Sequence, residues 1–217
     1  MEDCATNSKK FYKFLGIRNM ESIASSQKTG EFLNKLKKLI NLSKKEKILD
    51  LCCGYGRLTI PLSKKGYDVA GIDLMPTFIQ EAKQRAKKHK LNIVFRTGDM
   101  RKLPYLNNNF DKIFCVWSSF NHLFTPKDQI ISINQCYRVL KPKGQAIMVN
   151  EAFASYRQHL EKVFGKRSAE DGAHHDISYT EFDETAGNIG FSVKYEVPYH
   201  NRKKFPRSLV NAMEKYP

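Results

Sequence analysis

Residues 48–57 read I-L-D-L-C-C-G-Y-G-R: an apolar run with one acid inside it, ending in a turn that carries two glycines. So short an apolar run, closed by glycine, predicts a buried strand meeting a tight turn. Two further runs behave alike and also finish on an acid. Y-D-V-A-G-I-D (67–73) ends at Asp73, and N-I-V-F-R-T-G-D (92–99) ends at Asp99. A fourth strand is expected at F-D-K-I-F-C-V-W (110–117). A fifth, Q-A-I-M-V-N-E (145–151), follows a K-P-K-G turn.

Helical patterns separate these strands. One covers 58–65, with Pro61 near its first turn, where a missing N–H costs little. The next opens at Pro76 and places Phe78, Ile79, Ala82 and Ala86 on one face. Another covers 128–140, and an amphipathic helix at 31–40 precedes the first strand. Strand and helix in alternation mean right-handed crossovers and a parallel sheet. Strands that are apolar along most of their length imply cover on both faces. Beyond 151 the pattern changes: two helices around a polar loop at 165–177, then F-S-V-K-Y-E-V and S-L-V-N-A-M-E as a closing hairpin. The expected fold is α/β: a doubly wound, mostly parallel seven-stranded sheet with helices on both faces and a C-terminal antiparallel hairpin. No repeat or low-complexity linker divides the 217 residues. A single domain is expected, with an N-terminal helical flap (1–46), a core (47–151) and a final section (152–217).

Composition narrows the class. Hydrophobic residues make up 41% and aromatics 12%, enough for a core and too many for a disordered chain. The longest uncharged stretch, 113–126, is too short to span a bilayer, and the N-terminus lacks the order of a secretory signal. A cytoplasmic protein is expected. Its five cysteines are odd in number, with no C-x-x-C pair, so reduced thiols fit better than disulfides or a metal site, and no metal is expected. The net charge of +15 attracts phosphate or acidic surfaces. It comes from 27 Lys against 10 Arg, which favours a solvated coat over bidentate phosphate contacts.

In a doubly wound sheet, ligands bind beyond the carboxyl ends of the strands, where strand order reverses. Asp50, Asp73 and Asp99 stand at three such ends. A dinucleotide site would want G-x-G-x-x-G, but Gly54-Tyr55-Gly56 is followed by Arg57, Leu58 and Thr59. An acid before the glycines would also repel a pyrophosphate. A ring of carboxylates in a basic chain points to a cationic cofactor without phosphates.

Together, I-L-D-L-C-C-G-Y-G-R, G-I-D-L-M (71–75), G-D-M (98–100), F-D-K-I-F-C-V-W-S-S-F-N-H-L (110–123) and Y-R-V-L-K-P-K-G (137–144) resemble the class I S-adenosylmethionine-dependent methyltransferases. The resemblance implies their Rossmann-like fold and S-adenosylmethionine as cofactor, with S-adenosylhomocysteine as product. Asp50 and the backbone near Cys52, Gly54 and Gly56 would hold the methionine moiety. Asp73 would bind the ribose hydroxyls, Leu74 would pack on the adenine, and Asp99 with the Met100 backbone would meet its amino edge. Carbonyls from Cys115 to Trp117 would face the cofactor's amino group. The motif departs from the family at Cys52, which stands at its first glycine.

Methyl transfer from a sulfonium mainly needs alignment, with a base only if the nucleophile arrives protonated. His122 is the candidate base, since an imidazole titrates at about 6.5; packing under the next loop is the alternative. Trp117 is either a substrate platform or core. Tyr12 and Arg18, placed before the first helix, are candidates to close over the site. His174 and His175 lie in the polar loop, as a substrate wall or as plain surface. No N-P-P-Y tetrapeptide follows the fourth strand, and no Pro-Cys pair offers a thiolate, which favours a small-molecule acceptor. An RNA or protein acceptor drawn to K-Q-R-A-K-K-H-K (83–90) and R-K-K-F-P-R (202–207) is the alternative. A non-catalytic cofactor-binding domain is the second.

Overall fold

The computed structural model describes residues 4–117, 119–123 and 125–148. The chain opens with two helices, α1 (Cys4–Ile23) and α2 (Ser26–Ile40), and continues β1 (Lys47–Leu51), α3 (Thr59–Lys64), β2 (Asp68–Asp73), α4 (Pro76–Lys88) and β3 (Phe95–Thr97). It then runs through β4 (Phe110–Cys115), a 3-10 turn η1 (Ser119–His122), α5 (Pro126–Val139) and β5 (Leu140–Met148). The strands form one sheet in the order β3-β2-β1-β4-β5, every neighbouring pair parallel. The order reverses between β1 and β4, so their carboxyl ends, at Leu51 and Cys115, open a crevice.

Alternation along the strands explains the layers. Leu49, Leu51, Ala70, Ile72, Ile113, Cys115, Ala146 and Met148 pack on one face with Ile133, Cys136 and Val139 of α5. The intervening Ile48, Val69, Phe114 and Ile147 pack on the other with Leu33, Leu36 and Ile40 of α2 and Leu62 of α3. Ile79, Ala82 and Ala86 of α4 join Ile60 and Phe95. Leu49, Ile113 and Phe114 are fully buried.

Three expectations change. Tyr12 and Arg18 do not precede the first helix; they lie on α1, and the helix expected at 31–40 is the second, starting at Ser26. Gly16, at φ 67° and ψ 162°, breaks α1 and hid it from a periodicity search. The third strand shrinks to Phe95–Thr97, as suits a strand with β2 as its one partner among the described residues. The K-P-K-G turn does not precede β5 but is carried within it. There the register jumps from Phe110↔Leu140 to Lys112↔Gln145, and Lys143 takes φ 64°. The expected sixth and seventh strands, the hairpin and the polar loop lie outside the described residues.

Candidate functional site

The first acid sits deepest. Asp50, in β1, is 2% exposed and accepts a 2.6 Å hydrogen bond from the Thr59 hydroxyl at the start of α3. Burial pushes its carboxyl up to about 7, against the pull of Thr59 and the nearby Arg57 charge. Asp73 ends β2, and its two oxygens accept from the Gly54 and Met75 backbone N–H groups, each at 2.8 Å. Burial again dominates and raises it to about 6 despite those donors. Among the described residues neither acid has a Lys or Arg in ion-pair contact. Two buried carboxylates without a cation are poised to receive one.

The turn between them is forced by backbone conformation. Cys52, Gly54 and Gly56 all take positive φ, at 63°, 56° and 81°. At Cys52 that region costs about 1–2 kcal/mol for an L-residue, which is why a glycine is common at that place. At Gly56 space adds to conformation, because a Cβ would stand 3.0 Å from Ile60 Cδ1 and 3.2 Å from Phe95 Cζ.

Beyond β3, Asp99 and Met100 help line a cavity of about 40 Å³, with Cys52 and Leu74 on one side and Cys4 and Ser8 of α1 on the other. The expected adenine contacts therefore converge. Asp99 is engaged by Arg101, whose backbone N–H donates at 2.8 Å and whose Nη2 lies 2.7 Å from Oδ2. The same guanidinium reaches Asp128 of α5 at 2.9 Å, and the Cys4 thiol donates to Asp128 at 3.8 Å. A benzene-sized protein cavity is about 150 Å³. The space bounded here, about 40 Å³, is smaller than that and opens partly to solvent.

Helix α1 runs across the whole crevice. Tyr12 Oη is 2.9 Å from His122 Nε2, and its ring meets Phe78 of α4 edge-on at 6.0 Å. His122 is 5% exposed. Past the Gly16 break, Met20 lies over Gly54, 3.8 Å from where a Cβ would stand. Glu21 holds Arg85 at 2.6 Å, and that guanidinium covers the Tyr55 ring at 4.7 Å. Arg18, by contrast, is exposed and makes no hydrogen bond or ion pair among the described residues. It does not join the site in this arrangement.

Cys115 is 1% exposed and packs in the core at the end of β4. Trp117, two residues on at φ 62°, has the Arg57 guanidinium over its ring, 4.1 Å from the centroid. His174 and His175 are outside the described residues. Sequence reasoning passed over Thr59, Arg57, Arg101 and the Cys4–Ser8 end of α1. Arg101 had a visible signal, a cation two residues after Asp99; the α1 contacts had none, since their partners, from Gly54 to Asp128, lie far along the chain.

Comparisons with known proteins agree with this architecture. Residues 48–144 match the family model described as a methyltransferase domain. YqeM of Bacillus subtilis (strain 168), whose name gives methyltransferase and no acceptor, is 33% identical over 159 residues, 73% of this chain and 62% of that protein. The demethylmenaquinone methyltransferase of Staphylococcus aureus (strain JH9) is 26% identical over 160 residues, 68% of this chain and 64% of its own. The crystal structure of PH0226 from Pyrococcus horikoshii OT3 is similar at 28% identity and a TM-score of 0.55, covering 68% of this chain and 66% of that one. The chain thus spans less than two thirds of the length of the two curated relatives. Residues 48–144 are thus similar to a methyltransferase domain, set on the mostly parallel sheet that the sequence implied.

Proposed function

We propose that the chain is an S-adenosylmethionine-dependent methyltransferase that methylates an oxygen, nitrogen or sulfur atom of a small molecule. The observation that carries this reading is the pair of buried acids, Asp50 and Asp73, with no cation in ion-pair contact among the described residues. Such a site fits a cationic cofactor free of phosphates. Asp73, fixed by two backbone donors, would hold the ribose hydroxyls, Leu74 and Met100 the adenine faces, and Asp50 the methionine end. When bound, the cofactor supplies an activated methyl group on a sulfonium, ready for in-line displacement.

The remaining work falls to α1 and η1. Tyr12 orients His122 through its hydroxyl, and the pair faces the crevice between β1 and β4 from above. His122 would take the proton of an acceptor that arrives protonated. With α1 down, Tyr12, Met20 and the Cys4–Ser8 turn keep bulk water from the crevice.

A large anionic acceptor is the weaker reading. In the basic run at 83–90, Arg85 is already committed to Glu21 and Glu81, at 2.6 and 2.7 Å, and to Tyr55. No helix among the described residues is long and apolar enough to cross a membrane. Calorimetric titration with S-adenosylmethionine, S-adenosylhomocysteine and NADH, repeated on Asp73→Ala, tests the proposal. Micromolar binding of the first two only, lost in the variant, is expected. Binding of NADH alone would overturn it.

A further inference from the structure

Four of the five cysteines gather at the inner end of the crevice. Cys4, Cys115 and Cys136 are buried in one core cluster, and Cys52 packs against it from the turn. All five are free thiols. Cys53 faces away: it packs with Ile60, Ile79 and Phe95 and donates to the Gly54 carbonyl at 3.6 Å. Cys52 is the one of the five that is not fully buried, and it lines the cavity of about 40 Å³.

Strand register sets Cys52 beside Cys115. Leu51, the last residue of β1, is the partner of Cys115 in β4, so Cys52 stands one step out of register with it. Neighbouring strands lie about 4.8 Å apart and rise about 3.3 Å per residue. Such Cα atoms are therefore about 6 Å apart, inside the usual disulfide span of about 4.4–6.8 Å. Alternation alone would send residue 52 to the face opposite Leu51. With its φ of 63°, Cys52 instead packs on the cluster that holds Cys115. Glycine would cost less at that φ, so the Cys52 side chain is held there against strain. Contact with Cys115 and burial push the Cys52 thiol well above its usual range, so the pair rests reduced.

We propose that Cys52 and Cys115 form a dithiol that small-molecule disulfides oxidise, and that the resulting bond, tying the end of β1 to the end of β4, closes the nucleoside site. The Cys52 sulfur gives its proton to solvent and attacks one sulfur of glutathione disulfide, expelling one glutathione. The Cys115 sulfur then attacks Cys52, its proton also going to solvent, and the second glutathione leaves. Each glutathione departs as a thiolate and takes a proton from solvent. Two protein thiols are oxidised, and one small disulfide is reduced to two thiols. The new bond draws Cys52 toward the core, and with it the turn whose Gly54 N–H fixes Asp73. The bond stands apart from the methyltransferase reading; its effect on the nucleoside rests on that reading.

Incubation of the full chain with glutathione disulfide tests both parts, followed by non-reducing tryptic mapping and calorimetry with S-adenosylhomocysteine. The expected product is two hydrogens lighter than the reduced chain and joins the peptides 48–57 and 113–127. It binds S-adenosylhomocysteine about tenfold or more weaker, and dithiothreitol restores the affinity. Cys53→Ser keeps the linkage, which assigns it to Cys52 within a peptide that holds both. Cys115→Ala stops at one glutathione on Cys52. A linkage through Cys4, Cys53 or Cys136, adducts without any linkage in the wild type, or a linked chain of unchanged affinity overturns the proposal. Failure of the reduced wild type to bind S-adenosylhomocysteine strikes the methyltransferase reading, and the mapped linkage then decides the bond alone.

Discussion

The two walls of the crevice are built in different ways. The floor, from β1 to α4, closes over short sequence distances: Asp73 bonds Met75 and Gly54, and Asp50 bonds Thr59. The roof closes over more than 100 residues, through Tyr12 to His122 and Cys4 to Asp128. A floor set by a turn is formed whenever the sheet is formed. A roof set by one helix across a groove depends on where that helix rests. The difference puts the buried carboxylates in the floor and the long-range contacts in the roof.

The largest effect expected from the floor is on stability. Asp50 and Asp73 have folded pKa values of about 7 and about 6, above the unfolded value of about 3.9. For a raised acid the contribution is fully present below about pH 4 and is lost as pH rises through the folded value. The ligand-free protein therefore loses stability between about pH 4 and pH 7 through these two groups. A shift of about three units at Asp50 corresponds to roughly 4 kcal/mol. Asp50→Asn should flatten that slope and raise the urea midpoint at pH 7.5, while a roof variant such as Tyr12→Phe should leave the slope unchanged. Urea melts from pH 4.5 to 7.5 measure both. An unaltered slope in Asp50→Asn would erase the electrostatic distinction between floor and roof.

Binding gives the next effect. Loss of the Asp73 charge removes contacts to a charged acceptor worth about 1.5–3 kcal/mol, or about 10–150-fold in affinity for S-adenosylhomocysteine. Asp73→Asn measured by calorimetry, with a thermal melt as control for the turn, checks this. Tyr12→Phe should weaken S-adenosylhomocysteine by less than threefold, yet lower kcat about tenfold on an acceptor found by screening. A Tyr12 variant that loses cofactor affinity as strongly as the Asp73 variant would make α1 part of the floor.

The same division separates what was legible in the sequence from what was not. Asp50, Asp73, Gly54 and Gly56 were legible because turn chemistry and strand ends are local, and a left-handed φ leaves its mark on residue choice. Leu74, Asp99 and Met100 were legible through the motif that carries them. The Tyr12–His122 contact was not, although each residue was a candidate. Nothing local couples two residues 110 apart, and α1 itself was hidden by the glycine at its centre. Trp117 shows the converse: its type left platform and core both open, and only the packing revealed Arg57 on its face.

Gly16 gives the smallest effect and tests the hinge most directly. Its φ of 67° suits glycine, and a Cβ there would meet no atom within 4 Å. Alanine would therefore add conformational strain alone, about 1–2 kcal/mol, spread between the two halves of α1. The Met20 and Glu21 half stays anchored through Arg85, so the strain falls on the half that carries Cys4, Ser8 and Tyr12. That half lines the cavity of about 40 Å³ that Leu74, Asp99 and Met100 share. Gly16→Ala should raise the association and dissociation rates of S-adenosylhomocysteine together, by severalfold in stopped-flow fluorescence of Trp117, with a change in Kd of less than about threefold. A change in Kd with no change in the association rate would mean that the cofactor enters without lifting α1. The roof would then be as fixed as the floor.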